Sequence, residues 1–146
     1  MRKLALAAMA VAMIGATPAA VAGTDEKTYW LGKGNERHSR VDFIVKNGKV
    51  QSLFTITGAT RCSGGNKVSL ANSWDPIPLD GTSFRGRRQD NNSAAFVAGH
   101  VRGERAEGRM SAKARWFDES CDTDLLRWKA KQVTEEEWDE AHEPPH

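Results

Sequence analysis

Apolar and polar residues alternate one for one through much of this chain. Val41, Phe43 and Val45 share one face of a short segment, and Leu126, Trp128 and Ala130 share one face of another whose opposite side is Arg127, Lys129 and Lys131. From Arg109 to Trp116 the pattern groups Met110, Ala112, Ala114 and Trp116 and sets Arg109, Ser111, Lys113 and Arg115 opposite them. A period of two is that of a strand with one side in the core and one in water. Upstream, the stretch from Phe96 to Arg105 carries Phe96 and Ala98 on one side and Val97 and Val101 on the other. Gly99 and Gly103 stand where a bend or a close neighbour leaves no room for a side chain. A turn at Ala106-Glu107-Gly108 would join these two segments into a central hairpin.

The remaining strands follow from turn chemistry. Tyr29-Trp30-Leu31 opens the fold as a short first strand. Asn47-Gly48 between apolar runs predicts a type I′ hairpin turn, because both central residues need positive φ. The returning strand runs from Val50 to Thr57, its pattern slipping at Ser52-Leu53 as a bulge would make it. Gly58 to Asn66 reads as a loop and Lys67 to Ala71 as a short strand. Pro76 and Pro78 delete ladder donors and exclude a central strand there, while leaving Ile77 and Leu79 able to point inward. Gly86 to Ser93 and Phe117 to Asp124 read as polar loops. Seven to eight short strands, with turns roughly every 8 to 12 residues, predict an all-β fold: an antiparallel β-sandwich or flattened barrel. At the end, Thr134-Glu135-Glu136-Glu137 is a capping box with Val133 and Trp138 at the staple positions. It predicts a short acidic helix from Glu135 to about His142, stopped by Pro144-Pro145. So short a helix frays alone, so Trp138 is expected to dock somewhere on the rest of the chain.

Composition adds a compartment. Arg2 and Lys3 precede an apolar run from Leu4 to Ile14 and an Ala20-Val21-Ala22 cleavage site, which makes residues 1–22 a signal peptide. The run is too short for a membrane span, and none is expected after processing. The mature chain of 124 residues then balances 19 Lys and Arg against 19 Asp and Glu. That neutrality removes support for a general nucleic-acid role, and no specific nucleic acid is expected as a partner. The charge is nonetheless segregated: residues 85–115 carry a net +5, and residues 134–146 carry six acids and no Lys or Arg. Residues 23–132 are the β domain and residues 133–146 an acidic helical tail. Cys62 and Cys121, in a secreted or periplasmic chain, make a disulfide the default reading, with free thiols or metal ligands as the alternatives.

The order Val41-x-Phe43-x-Val45, Gly48-Lys49-Val50, Cys62, Phe84, Val97-x-Gly99-x-Val101-x-Gly103, Ala106-x-Gly108, Cys121-x-Thr123 and Trp128-x-Ala130 resembles an uncharacterised family. Its members are secreted bacterial all-β domains that close on a Cys-x-Ser/Thr-Gly and Trp-x-Ala signature. The resemblance spans about residues 29–131, and this chain departs from it with Asp124 at the closing glycine. It implies a sandwich with a Cys62 to Cys121 link, and brings no activity, substrate or catalytic residue.

Candidate chemistry is sparse. The chain has no Gly-x-Ser-x-Gly and no phosphate-cradling Gly-rich loop, and no cofactor or metal is expected. His100 reads as a strand histidine, and His142-Glu143-Pro144-Pro145-His146 as a flexible tail whose prolines deny it chelating helical geometry. Glu104 with Glu107, and Asp118 with Glu119, are carboxylate pairs by sequence proximity alone. Of the five tryptophans, Trp74 has the most polar neighbours and is the candidate for an exposed ring that stacks a sugar, the alternative being an indole folded back over the sheet edge. Arg85, Arg87 and Arg88 are expected in a loop that meets an anionic partner, with the acidic helix folding over the basic face to mask it. The reading is a non-enzymatic envelope module that binds a glycan or anionic polymer. The alternative is a small hydrolase of polysaccharide or peptide, for which Glu104, Glu107 and His100 would have to converge.

Overall fold

Asn47 and Gly48 both adopt positive φ (53° and 68°) and close the hairpin between β2 (Arg40–Lys46) and β3 (Lys49–Arg61). This computed structural model describes residues 26–145, so the expected signal peptide over residues 1–22 and His146 lie outside the described residues, as does the side chain of Trp116. The other strands are β1 (Thr28–Gly34), β4 (Lys67–Ser73), β5 (Ile77–Pro78), β6 (Ser83–Gln89), β7 (Ser93–Arg102), β8 (Arg105–Trp116), β9 (Glu119–Asp122) and β10 (Leu126–Val133). A helix, α1 (Glu135–His142), follows. All pairings are antiparallel in one curled sheet with the order β4-β3-β2-β1-β10-β8-β7-β6, while β5 pairs with β3 and β9 with β8. The all-β expectation therefore holds in its barrel-like form, as a half-barrel.

The alternation read from the sequence names the inner face. Trp30, Val41, Phe43, Val45, Leu53, Val97, Met110 and Trp128 fill the core, with Trp30 stacked on Phe43 at 5.7 Å and Phe43 edge-on to Trp128 at 6.0 Å. Trp128 lies over Gly99 and Gly108, where an added Cβ would strike its ring. Ser52 takes φ 49° at the expected bulge, and the β2–β3 register shifts between Asp42 and Ile44.

Several local expectations are corrected. The central turn lies at Gly103-Glu104, with Gly103 at φ 60° and Arg102 paired with Arg105, so Ala106 to Gly108 continue β8. Residues 83–89 form an edge strand rather than a loop. The stretch after Trp116 contains β9, whose Cys121 is bonded to Cys62 across 59 residues of chain. That disulfide is consistent with an oxidising compartment. No helix among the described residues is long and apolar enough to cross a membrane.

The helix forms over the expected residues with both halves of its capping box, Thr134 Oγ1 accepting from Glu137 N–H and Glu137 from Thr134 N–H. Trp138 docks on Tyr29 of β1 at 5.7 Å, and His142 stacks against Trp138 at 4.1 Å. The helix thus sits on the outer side of β1 and β2 and does not mask the basic strands. At its C-terminal end Arg40 donates to the Ala141 carbonyl, and His142 Nε2 lies 3.3 Å from the buried Asp42 carboxylate, which Arg40 also contacts.

Asp42 stands between Leu31 and Phe54 on the neighbouring strands. Burial raises its carboxyl above the usual range, outweighing the opposing pull of Arg40, His142 and the Gly32 backbone. A folded state that holds this proton to higher pH than the unfolded chain loses stability as pH rises from about 4 through the raised value, and no further above it. Asp42→Asn, which keeps the shape without the charge, is expected to remove that part of the slope and to leave stability at neutral pH within about 1 kcal/mol of the parent. Urea melts of both proteins at several pH values check it, and parallel curves would refute it.

Candidate functional site

Strand order brings together residues far apart in sequence. On the outer face, Arg127 of β10 is opposite Arg109 of β8, Arg109 is opposite Ala98 of β7, and Ala98 is opposite Arg85 of β6. The adjacent row runs Lys33, Lys129, Glu107, His100 and Ser83 across β1, β10, β8, β7 and β6. The next holds Ser111, Phe96 and Arg87. These side chains point outward because their neighbours Trp128, Met110 and Val97 point into the core, as would a Cβ at Gly99 or Gly108.

The rows line an open groove of about 1450 Å³. Its walls carry Lys33, Arg85, Arg109, Arg127 and Lys129 against the acids Asp80 and Glu107, while Ala98 leaves space between Arg109 and Arg85. Glu107 is engaged by His100 at 3.3 Å. Phe96 lies beside two guanidinium groups, with Arg87 Cζ 5.1 Å and Arg85 Cζ 5.9 Å from its ring centroid. Two cross-strand pairs of the groove, Lys33 with Lys129 and Arg109 with Arg127, set like charges directly opposite each other, as do Arg105 with Lys131, Arg102 with Arg105, Lys46 with Lys49 and Arg61 with Lys67 elsewhere in the sheet. Such pairs destabilise a sheet by a few tenths of a kcal/mol to about 1 kcal/mol.

The residues singled out from sequence part company. Arg85 and Arg87 share the outer face, and Arg85 lines the groove. Arg88 turns to the other side, where its guanidinium donates to the Ser73 carbonyl at the end of β4. Trp74 is 8% exposed, which corrects the expectation of an open ring. Its Nε1 donates to Thr55 Oγ1 at 3.0 Å, and with Ile77 it packs over Gly86 of β6. It fills the seam between the two ends of the curled sheet and has no open face for a ligand.

His100 and Glu107 meet, but Glu104 sits in the Gly103-Glu104 turn, where its carbonyl accepts from Gln132 N–H, and is not part of the groove lining. Glu119 receives both its bonds from Asn66 Nδ2 at 3.0 Å and is occupied structurally. His142 faces Asp42 rather than a chelating tail. Among the described residues, no three His, Cys, Asp or Glu side chains are grouped as metal ligands. Lys33, Phe96, Arg127 and Lys129 were not singled out from sequence. The alternation around Trp128 marks Arg127 and Lys129 as outward, but their company depends on β10 lying between β1 and β8. No family model, no curated protein and no solved structure matches this chain.

Proposed function

We propose that this chain is an exported, non-enzymatic module whose outer groove holds an anionic polymer of the bacterial envelope. One observation carries the reading. In a mature chain of balanced charge, five cations converge on a groove, and two of its cross-strand pairs oppose like charges at a cost to the fold. A polyanion laid across the strands would neutralise both pairs and exchange its counterions for them.

Stability and binding should therefore respond with opposite signs. Replacing Arg109 and Arg127 together by serine is expected to weaken retention on heparin or polyphosphate by about ten- to a hundred-fold, the worth of one or two charge-assisted contacts. The same variant should be as stable as the parent or more stable by a few tenths of a kcal/mol. Binding isotherms at low and moderate salt, paired with urea melts, read both. Undiminished retention in the variant, or no retention of the parent at low salt, would overturn the proposal.

The hydrolase reading draws on the His100–Glu107 contact at 3.3 Å. It requires turnover of a bound polymer that His100→Ala abolishes, which a reducing-end or fragment-size assay detects. Binding is favoured because Glu104, the third member that reading needs, lies in the turn.

A further inference from the structure

The groove couples its cations to an aromatic shelf, and this combination narrows the class of polymer. Phe96 is partly exposed on the outer face, with alanines at 94 and 98 as its nearest same-side neighbours along the strand, so little bulk along β7 screens the ring. Arg87 is directly opposite it, and the guanidinium carbons of Arg87 and Arg85 are 5.1 and 5.9 Å from the ring centroid. The guanidinium groups lie over the phenyl ring as cation–π partners, and the free plane of a guanidinium held in this way is itself a surface on which another flat π system stacks.

The polar lining points the same way. Arginine and lysine side chains are donors only. Cations outnumber acids in the lining by five to two, and of the two acids Glu107 is already engaged by His100, so the groove favours a ligand rich in anionic acceptors over a neutral sugar. Phosphates need donors, and bases offer π faces that need no acceptor. From β6 to β1 the groove crosses four inter-strand spacings, about 19 Å. That is room for a strand of several nucleotides, the scale of other small single-strand binding modules.

We propose that the groove binds single-stranded nucleic acid without sequence preference, phosphates lying on Arg109, Arg127 and Lys129 and one base stacking on the cation–π cluster of Phe96 with Arg85 and Arg87. The inference rests on the anionic-polymer reading of the same groove but puts nucleic acid in place of an envelope polymer; the balanced total charge argued against that class, and the gathering of five cations on one groove argues for it.

Fluorescence anisotropy of the mature protein with labelled oligothymidylate, competed by polyphosphate and by a DNA duplex of equal length, tests it. Oligothymidylate should bind more tightly than the duplex, whose bases are already stacked on one another. Phe96→Leu should weaken oligothymidylate binding about ten-fold while leaving polyphosphate binding unchanged, because removing one base–aromatic stack affects only the ligand with bases. Phe96→Tyr should restore the affinity. The comparison of single strand with duplex on the unaltered protein stands even if the leucine variant fails to fold. Equal affinity for duplex and single strand, or a Phe96→Leu variant that loses both ligands alike or neither, overturns the inference. Polyphosphate bound with no oligothymidylate bound overturns it and leaves the anionic-polymer reading standing, whereas binding of neither removes both.

Discussion

Trp128→Ala should cost about 3–5 kcal/mol, the scale of an aromatic-to-alanine change in a packed core. That is a large fraction of the roughly 5–15 kcal/mol by which domains are stable. Trp128 is 1% exposed, stands 6.1 Å from Phe84 and 6.0 Å from Phe43, and lies over two glycines that have no side chain with which to refill the space. Its Nε1 has no hydrogen-bond partner among the described residues. Trp128→Phe, which keeps a ring and removes that N–H, should therefore cost much less, about 1–2 kcal/mol. Urea denaturation followed by circular dichroism separates the two variants. An alanine variant that melts within about 1 kcal/mol of the parent would show that the core is centred elsewhere. The same indole separates the groove from the core, since Arg127 and Lys129 flank it on the outer side of β10.

What the chain discloses before folding is local. Asn47-Gly48 and the Thr134 to Glu137 capping box were legible because each is complete within four residues: positive φ at two positions in one case, two reciprocal backbone bonds in the other. The alternation of Val41 to Val45 and of Leu126 to Lys131 was legible because one side of the sheet is core and the other is water. The central turn was misplaced because Ala106-Glu107-Gly108 has the composition of a turn. Gly108 is small for another reason, the Trp128 ring from a strand that follows 20 residues later. β6 looked like a loop because its outward residues are Arg85 and Arg87 and its inward Arg88 meets a carbonyl across the seam, so almost nothing in it is apolar.

The candidate site was less legible than the fold because it is a product of strand order. Arg109 and Arg127 each read as an outward residue of its own strand, and nothing in the sequence makes them opposite one another until β10 enters between β1 and β8. Trp74 shows the converse. Its polar neighbours Asn72, Ser73 and Asp75 suggested exposure, but the sheet curls until its two ends approach and the indole is what fills the seam. Curl is a property of the whole sheet, and no short window of sequence carries it. The acidic helix was foreseen as an element and misjudged as a mask for the same reason. Trp138 finds Tyr29, and that contact holds the acids over β1 and β2.

Reduction of the Cys62–Cys121 bond should lower stability by about 4 kcal/mol in the chain-entropy account, because it releases a loop of 59 residues from the unfolded ensemble's only cross-link. The bond joins the far end of β3 to β9, a strand of four residues that pairs with β8 and is tied to the loop after β3 by hydrogen bonds between Ser63 and Ser120. Losing it should free β9 first, and with it the Asn66 to Glu119 contact that ties the loop after β3 to the same hairpin. Urea melts with and without reductant read the loss as a lower midpoint. Cys62→Ala combined with Cys121→Ala should reproduce it and abolish any further response to reductant. A midpoint that ignores reductant in the parent would mean that the sheet's ladder alone holds the seam. The chain would then have no thermodynamic reason to fold in an oxidising compartment, and the export on which the envelope reading stands would lose its physical support. If the loss appears as expected, a domain of this size is left with little margin when reduced, and the Arg109–Arg127 and Lys33–Lys129 oppositions are tolerable because a covalent bond offsets what those pairs take from the fold.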